Sequence, residues 1–316
     1  IWINNADQPW TGFSYSGSLP ETGKTQDVKL ADLDLDGDLD LVVANEEGEE
    51  NSVWKNDGTG NFGTSPAFTF GESKTYHIAL ADFDGDGDTD IATGNFLQPN
   101  LIWLNNGTGS FTDSTQSLGS GSTRSIVARD MDRDGDLDLI IGNYDFEFNR
   151  IWNGSLSASW GKASLSDSDH SLGNEKTSSM ARGDLNGDGA DDFVAGNNQG
   201  QPNSSWINDG NGSFDETPFE TFGNGKTQFV VLGDMDGDGD LDLVEGNSSA
   251  ENMVRLNDGT GSFTDPVSFG LSSSPTMALA LGDVDGDGDL DVVEGNTNNL
   301  DNRVWLNDGS GTVFTD

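Results

Sequence analysis

One acidic nonamer, copied six times at a spacing near fifty residues, constrains this chain more than any other feature. The copies are DLDLDGDLD (32–40), DFDGDGDTD (82–90), DMDRDGDLD (130–138), DLNGDGADD (184–192), DMDGDGDLD (234–242) and DVDGDGDLD (283–291). Successive starts lie 50, 48, 54, 50 and 49 residues apart. Other positions keep step. A Thr stands seven residues before every copy (Thr25, Thr75, Thr123, Thr177, Thr227, Thr276), and an Asn five residues after its last Asp (Asn45, Asn95, Asn143, Asn197, Asn247, Asn296). A second Asn precedes a Trp by three residues in five repeats, as in Asn51/Trp54 and Asn302/Trp305; the remaining repeat pairs Asn252 with Arg255. Such lockstep marks one supersecondary unit copied along the chain.

Each unit reads as strands. Short apolar runs such as HIALA and FVVLG precede the motif, and LDLVV or LDLII follows it. Then come SVWKN or LIWLN and an aromatic tail such as FTF, with NDGTGNF or NNGTGSF between them as an Asn/Asp-Gly hairpin signal. Helical periodicity is absent. Four short strands per repeat predict an all-β chain of β-propeller blades, without the WD40 or kelch signatures. There are six motifs but seven third-strand segments, because IWINNADQPWTGF at the start matches VWLNDGSGTVF at the end. The expectation is therefore one domain over 1–316, a seven-bladed propeller with one incomplete blade. Residues 1–17 form the outer hairpin of that blade, and the six repeats start near 19, 70, 118, 172, 222 and 269. A six-bladed ring with a spare hairpin is the alternative. An open blade exposes strand edges, so a missing segment or a neighbouring chain is expected to complete it.

Composition narrows the function. The net charge is −42, from 56 acidic against 14 basic residues. Nucleic acid and anionic membranes, which need basic patches, are excluded as partners. With 8 Trp and 17 Phe the chain has the means to build a core, unlike a disordered acidic tail. No Cys is present, so disulfides and thiolate metal sites are ruled out. No apolar run of about 18 residues exists to span a bilayer. IWINN reads as mid-strand, so the numbering is expected to begin after processing or trimming.

Alternating Asp at motif positions 1, 3 and 5 of a tight loop, with Gly at position 6, gathers hard oxygen donors on one side of a sharp turn. That is calcium chemistry. Position 6 is Gly in all six copies, as a positive φ would demand. Position 7 varies and is Ala190 in the fourth copy, so a ligand there is the backbone carbonyl; position 9 again offers a carboxylate. An EF-hand needs a Glu at position 12 and flanking helices, whereas position 12 here is Val43, Thr93, Ile141, Ala195, Glu245 and Glu294. Acidic turns without metal would leave these carboxylates repelling one another.

The unit FGESKTYHIALADFDGDGDTDIATGN resembles an FG-GAP repeat, the calcium-binding blade of the integrin α-subunit propeller, and IWLNNGTGSFTD resembles its bacterial VCBS variant. The FG element stands at Phe70-Gly71, Phe222-Gly223 and Phe269-Gly270, becomes Leu-Gly at 118–119 and 172–173, and is missing before the first motif. The resemblance implies one calcium per loop, about six in all. Its ligands would be Asp32, Asp34, Asp36 and Asp40 with the Asp38 carbonyl in the first copy, and Asp82, Asp84, Asp86 and Asp90 with that of Asp88 in the second. The third would use Asp130, Asp132, Asp134, Asp138 and the carbonyl of Asp136; the fourth Asp184, Asn186, Asp188, Asp192 and the carbonyl of Ala190. The fifth would use Asp234, Asp236, Asp238, Asp242 and the carbonyl of Asp240; the sixth Asp283, Asp285, Asp287, Asp291 and the carbonyl of Asp289.

The recurrent Thr and Asn residues are read as caps of strand ends and loop backbone, and the Trp series (Trp2, Trp54, Trp103, Trp152, Trp206, Trp305) as core between blades. The loops that differ between blades, EEGEE (46–50), FLQP (96–99), YDFEF (144–148) and NQGQP (198–202), are the binding candidates. Catalysis finds little support. Only His77 and His170 exist, and a polysaccharide-lyase alternative has to use His77 beside Tyr76, or Tyr144 with Arg150. The sequence reading is a secreted or cell-surface, calcium-stabilised propeller serving as an adhesion or recognition module for a protein or glycan. The alternatives are the lyase and a structural subunit that assembles through its incomplete blade.

Overall fold

The structure is a computed structural model that describes residues 2–4, 13–15, 19, 23–46, 49–145, 147–157, 162–223, 225–264, 266–270 and 275–315. No helix occurs among them. The chain falls into two compact units, Ile1–Thr123 with Ser155–Ser164, and Arg124–Gly154 with Leu165–Asp316.

The first unit opens with a two-stranded sheet, β1 (Trp2–Asn4) and β2 (Phe13–Tyr15). Its first blade is β3 (Lys24–Ala31), β4 (Asp40–Glu46), β5 (Asn51–Trp54) and β6 (Phe68–Phe70); its second is β7 (Thr75–Ala81), β8 (Asp90–Asn95), β9 (Leu101–Asn105) and β10 (Phe111–Asp113). In the second unit the third blade is β11 (Thr123–Arg129), which starts at the boundary, β12 (Asp138–Asn143), β13 (Arg150–Asn153) and β16 (Ser166–Ser171). The short pair β14 (Leu156–Ser157) and β15 (Lys162–Ala163) interrupts it in sequence. The fourth blade is β17 (Thr177–Gly183), β18 (Asp192–Asn197), β19 (Asn203–Trp206) and β20 (Glu220–Phe222). The fifth is β21 (Thr227–Gly233), β22 (Asp242–Asn247), β23 (Asn252–Arg255) and β24 (Val267–Phe269). The sixth is β25 (Thr276–Gly282), β26 (Asp291–Asn296), β27 (Arg303–Asn307) and β28 (Phe314–Thr315). All six are four-stranded antiparallel sheets, as the repeat predicts.

The second strand of the second to fifth blades is covered on both faces, as the inner strands of packed sheets are. Every residue of β8, β12, β18 and β22 is buried. Core clusters mix successive blades. Val42, Ala44, Val53 and Phe70 of the first blade pack with Ile78 and Ile91 of the second. Val244, Val254 and Phe269 of the fifth pack with Leu279, Val292 and Trp305 of the sixth. Trp54, Trp206 and Trp305 are buried, in keeping with a core role, and Arg255 takes the Trp place by pairing with buried Glu245 at 3.0 Å.

The recurrent Thr and Asn lace blade to blade. Asn51 Nδ2 donates to Thr75 Oγ1 of the next blade (3.0 Å), Thr75 Oγ1 donates to Asn95 Oδ1 (2.8 Å), and Asn95 Nδ2 donates to Pro99 O (2.7 Å). Asn203, Thr227, Asn247 and Glu251 repeat this chain of bonds. These side chains are buried and satisfied, which is what buried polar groups require.

The NDGTG turn departs from the expected hairpin. It joins the third and fourth strands directly only in the second and sixth blades, where Asn105 pairs with Phe111 and Asn307 with Phe314. In the fourth and fifth blades it closes isolated bridges, Asn208 to Phe214 and Asn257 to Phe263, and the fourth strand forms later in the chain. The pair β1–β2 keeps the third-and-fourth-strand register, Asn4 opposite Phe13. Trp160 and Phe146 lie outside the described residues.

Candidate functional site

Each acidic motif forms the loop between the first and second strands. Ala81 pairs with Asp90, Gly233 with Asp242 and Gly282 with Asp291, so the chain turns within the eight residues between. The position-6 glycines all have φ between 84° and 100°, as expected. Position 4 is left-handed too, which the sequence reading missed although four of the six copies hold Gly there. Leu35 (φ 60°) and Arg133 (φ 60°) accept a conformation that costs an L-residue roughly 1–2 kcal/mol.

The carboxylates organise the loop in fixed roles. Asp82, at position 1, accepts from the backbone N–H groups of Gly85 (2.7 Å), Asp86 (3.1 Å) and Gly87 (2.9 Å). Position 5 accepts from the N–H two residues on, as Asp86 does from Asp88 and Asp238 from Asp240. Position 9 is a buried clasp. Asp90 Oδ2 accepts from Phe83 N (2.8 Å) and Oδ1 from Asn105 N (2.7 Å) at the end of the third strand, and Asp40, Asp138, Asp192, Asp242 and Asp291 do the same. Position-7 side chains turn towards the NDG turn of their own blade: a Cβ on Gly58, Gly107, Gly259 or Gly309 would strike the carboxylate of Asp38, Asp88, Asp240 or Asp289.

Carboxylate oxygens gather in five of the six loops. The groups are Asp32/Asp34/Asp36, Asp82/Asp84/Asp86, Asp130/Asp132/Asp138, Asp234/Asp236/Asp242 and Asp283/Asp285/Asp291, each with one oxygen per residue within 4.8 Å of the others. Asp32 Oδ1, Asp34 Oδ1, Asp84 Oδ1 and Asp130 Oδ1 are buried without a hydrogen-bond partner. Orphaned oxygens of this kind fit a hard divalent cation such as calcium, which would satisfy them without donating a proton. Burial raises the carboxyls of Asp84, Asp132, Asp236 and Asp285, and their acidic neighbours raise them further. Asp90 is pushed up to about 7 and Asp138, Asp192 and Asp242 to about 6 by burial, against the pull of their two backbone N–H bonds.

The loops are also gripped by the following blade. Asn105 Nδ2 donates 2.8 Å to Leu33 O, the position-2 carbonyl of the preceding acidic loop. Asn208 reaches Met131 O, Asn257 reaches Leu185 O and Asn307 reaches Met235 O in the same way. This explains the NDGTG turn: its Asn latches one blade to the loop of the blade before.

The variable loops gather in two places. In the second unit, YDFEF and NQGQP meet at Tyr144: Gln199 Nε2 donates to its hydroxyl (2.7 Å), and the Arg124 guanidinium and Lys176 ammonium lie 4.9 and 5.4 Å from its ring centre. Lys176 Nζ also donates to Gln199 Oε1 (2.7 Å). In the first unit Lys74 Nζ lies 5.3 Å from the Phe96 ring, Tyr76 meets the same ring edge-on, and the Tyr76 hydroxyl donates to Glu46 (3.3 Å). Sequence reasoning named Tyr144, and Gln199 within the NQGQP loop, as binding candidates and singled out Lys176 only as one of the lysines before the recurrent Thr; it missed Arg124. A signal was available: only the second and third repeats place an aromatic directly after the motif's Asn.

Of the catalytic alternatives, the Tyr144–Arg150 pair does not assemble as read. Arg150 lies over Phe148 and 3.7 Å from Asp167, while Arg124 and Lys176 take the place beside Tyr144, so the Tyr144–Arg150 pair is corrected. His77 sits 3.8 Å from Asp27, and its pKa falls to about 4 because burial, with Lys29, outweighs Asp27. The side chain of His170 is outside the described residues.

Comparison with known proteins agrees with the blades. No curated protein matches the sequence. A solved structure concerned with recognition of non-reducing terminal N-acetylglucosamine by an Agrocybe aegerita lectin is 21% identical, with a TM-score of 0.62 over 93% of this chain and 79% of that one. BBS1N in complex with ARL6DN is 12% identical, with a TM-score of 0.53 over 94% and 93%. Both likenesses are of fold. The FG-GAP-like repeat matches at residues 32–93, 82–141, 184–245 and 234–294, the acidic loops and the strands that carry them, and the chain belongs to that family.

Proposed function

We propose that this chain is a calcium-stabilised, extracellular recognition module of a β-propeller and that its ligand is a glycan. The Tyr144 cluster carries the reading. An aromatic ring flanked by two cations and a carboxamide combines a stacking face with hydrogen-bond donors, the composition of a sugar site. The fold likeness to a lectin described as recognising terminal N-acetylglucosamine supports the choice of ligand class. The acidic loops, with Asp32, Asp82, Asp130, Asp184, Asp234 and Asp283 at their heads, each hold one calcium in this reading and keep the latches in place. A calcium module of this kind fills at about 0.1–1 mM, which favours an extracellular setting.

The test is a glycan array in about 2 mM calcium, just above that range, followed by calorimetry on the best ligand. Saturable binding that Tyr144→Ala weakens at least about tenfold, a loss near 1.4 kcal/mol, supports the reading. Binding to no glycan, or binding indifferent to Tyr144→Ala and Gln199→Ala, overturns it. Unsaturated product from a uronate polymer would support the lyase instead.

A further inference from the structure

One place in the first blade breaks the repeat beside its acidic loop. The residue before the Asn that opens the NDGTG turn is Leu104, Ile207, Leu256 or Leu306 in the second, fourth, fifth and sixth blades, but Lys55 in the first. Where it is aliphatic, it packs on the second glycine of the next blade's turn. A Cβ on Gly261 would lie 2.9 Å from Ile207 Cδ1, and one on Gly311 would lie 2.8 Å from Leu256 Cδ2. Lys55 keeps that contact with its stem, since a Cβ on Gly109 would meet its Cε at 2.7 Å. A charge therefore stands at a place that the other blades fill with hydrocarbon.

That charge reaches the acidic loop. Lys55 Nζ lies 3.0 Å from Asp34 Oδ2 and donates to Thr108 O of the second blade (2.6 Å). Asp34 holds motif position 3, and its other oxygen, Oδ1, is buried without a hydrogen-bond partner, as is Asp32 Oδ1. One carboxylate of the gathered group Asp32/Asp34/Asp36 is thus shared with a tethered ammonium. The second loop offers the control. Asp84 Oδ1 is buried without a partner there too, but the equivalent place is the uncharged Leu104. The two loops share a backbone frame. Gly37 N donates to Asp32 Oδ2 and Asp38 N to Asp36 Oδ1, as Gly87 N does to Asp82 Oδ2 and Asp88 N to Asp86 Oδ1.

We infer that Lys55 sets the affinity of the first acidic loop, making it a weaker calcium site than the second, so that it fills only after its neighbour is saturated. The inference rests on the calcium reading of the loops proposed above. The ammonium neutralises part of the charge that Asp34 offers, and it repels an incoming divalent ion. A unit charge held on the far side of one ligating carboxylate lowers the affinity by about tenfold, even at the dielectric of water. Calcium entering this loop competes with Lys55 for Asp34. Because Lys55 also holds Thr108 O, this one loop carries a change in calcium concentration to the junction of the first two blades.

The test is amide hydrogen exchange on the full chain across a calcium titration. An ion that orders the carboxylates should protect the amides bonded to them, Gly37 and Asp38 in the first loop and Gly87 and Asp88 in the second. The calcium midpoint of the first pair should lie about tenfold above that of the second. Lys55→Met keeps an aliphatic stem on Gly109 and removes the charge, so it should bring the two midpoints within about threefold of each other. Lys55→Arg keeps the charge and should keep the gap. Midpoints already within about threefold in the unaltered chain overturn the proposal. So does an equal fall of the first midpoint in both variants, which assigns the effect to packing. A first midpoint that rises in Lys55→Met overturns it as well, making Lys55 a positioning residue that aims Asp34. One that stays high there and falls in Leu35→Gly assigns the weakness to the left-handed leucine instead. These outcomes leave the calcium reading in place, because the second loop is still protected. Calcium that protects neither pair overturns that reading and this inference together.

Discussion

The second and fourth acidic loops share one backbone design but answer their crowding differently. In the second, Asp82, Asp84 and Asp86 converge, and Asp84 Oδ1 is left buried without a donor. In the fourth, Asn186 replaces that Asp and its amide donates to Asp188 Oδ2 (2.9 Å). The N–H of Ala190, the Asn186 amide and the nearby Arg133 charge together hold the Asp188 carboxyl below its usual range. One residue thus turns an unsatisfied cage into a self-satisfied turn. Shape comes from the glycines and the backbone N–H bonds, whereas the demand for a cation comes from the carboxylate count.

The largest expected effect is metal removal. With calcium about tenfold above its dissociation constant, each occupied loop adds about 1.4 kcal/mol, so five gathered loops add about 7. Exhaustive chelation should therefore lower the melting point steeply, and elemental analysis beforehand should find at least five calcium ions per chain. An unchanged melting point with no metal would remove the cage reading.

The next effect is that of pH on the chelated protein. Asp90, raised to about 7, and Asp138, Asp192 and Asp242, raised to about 6, hold protons in the folded state that the unfolded chain releases near 4. Their contribution is full below that point and is lost as pH climbs through the window from about 4 to about 7. Each such carboxyl gives up at most on the order of 1.4 kcal/mol for every pH unit crossed inside its window. Asp188 runs the other way: its contribution is present above the usual carboxylate range and is lost as pH falls below it. Denaturant melts between pH 4 and 8 without calcium should show falling stability, and saturating calcium should flatten the trend.

Exchanging the distinguishing residue sharpens the contrast. Asp84→Asn should stabilise the fold in chelator and shrink the stabilisation that calcium adds, by at most about 1.4 kcal/mol, one site's worth at that concentration. Asn186→Asp should do the reverse and give the fourth loop a cluster like the others. The two melts, each with and without calcium, are the measurement.

The smallest effect concerns position 4. Leu35→Gly relieves a left-handed leucine and should stabilise the fold by about 0.5–1 kcal/mol, less the entropy that Gly adds to the unfolded chain. Arg133→Gly relieves the same strain but removes the cation that helps to hold Asp188 ionised, so its gain should be smaller. Chemical denaturation of both variants checks the order.

Local patterns were legible wherever each repeat states them on its own. The strand order, the glycine at position 6, the five convergent carboxylate groups and the buried Trp54 and Trp206 all follow from residues a few places apart. Position 4 was not legible, because Leu35 and Arg133 conceal the left-handed geometry that Gly85 and Gly187 declare. The Tyr144 cluster was half legible. Its aromatic stands in a loop unique to one blade, but Lys176 and Gln199 reach it from another blade, and no spacing rule links them.

The sequence by itself determined that this is a repeated four-stranded unit with an acidic turn, since a copied pattern of apolar strands, glycines and carboxylates admits few other folds. Only the tertiary structure decided what the recurring Asn and Thr do and which apolar residues stay uncovered. Asn105 meets Leu33 O across 72 residues, and Val28 is exposed while its counterpart Ile78 is buried. Both outcomes depend on what the rest of the chain brings to each blade, which identical local patterns do not state.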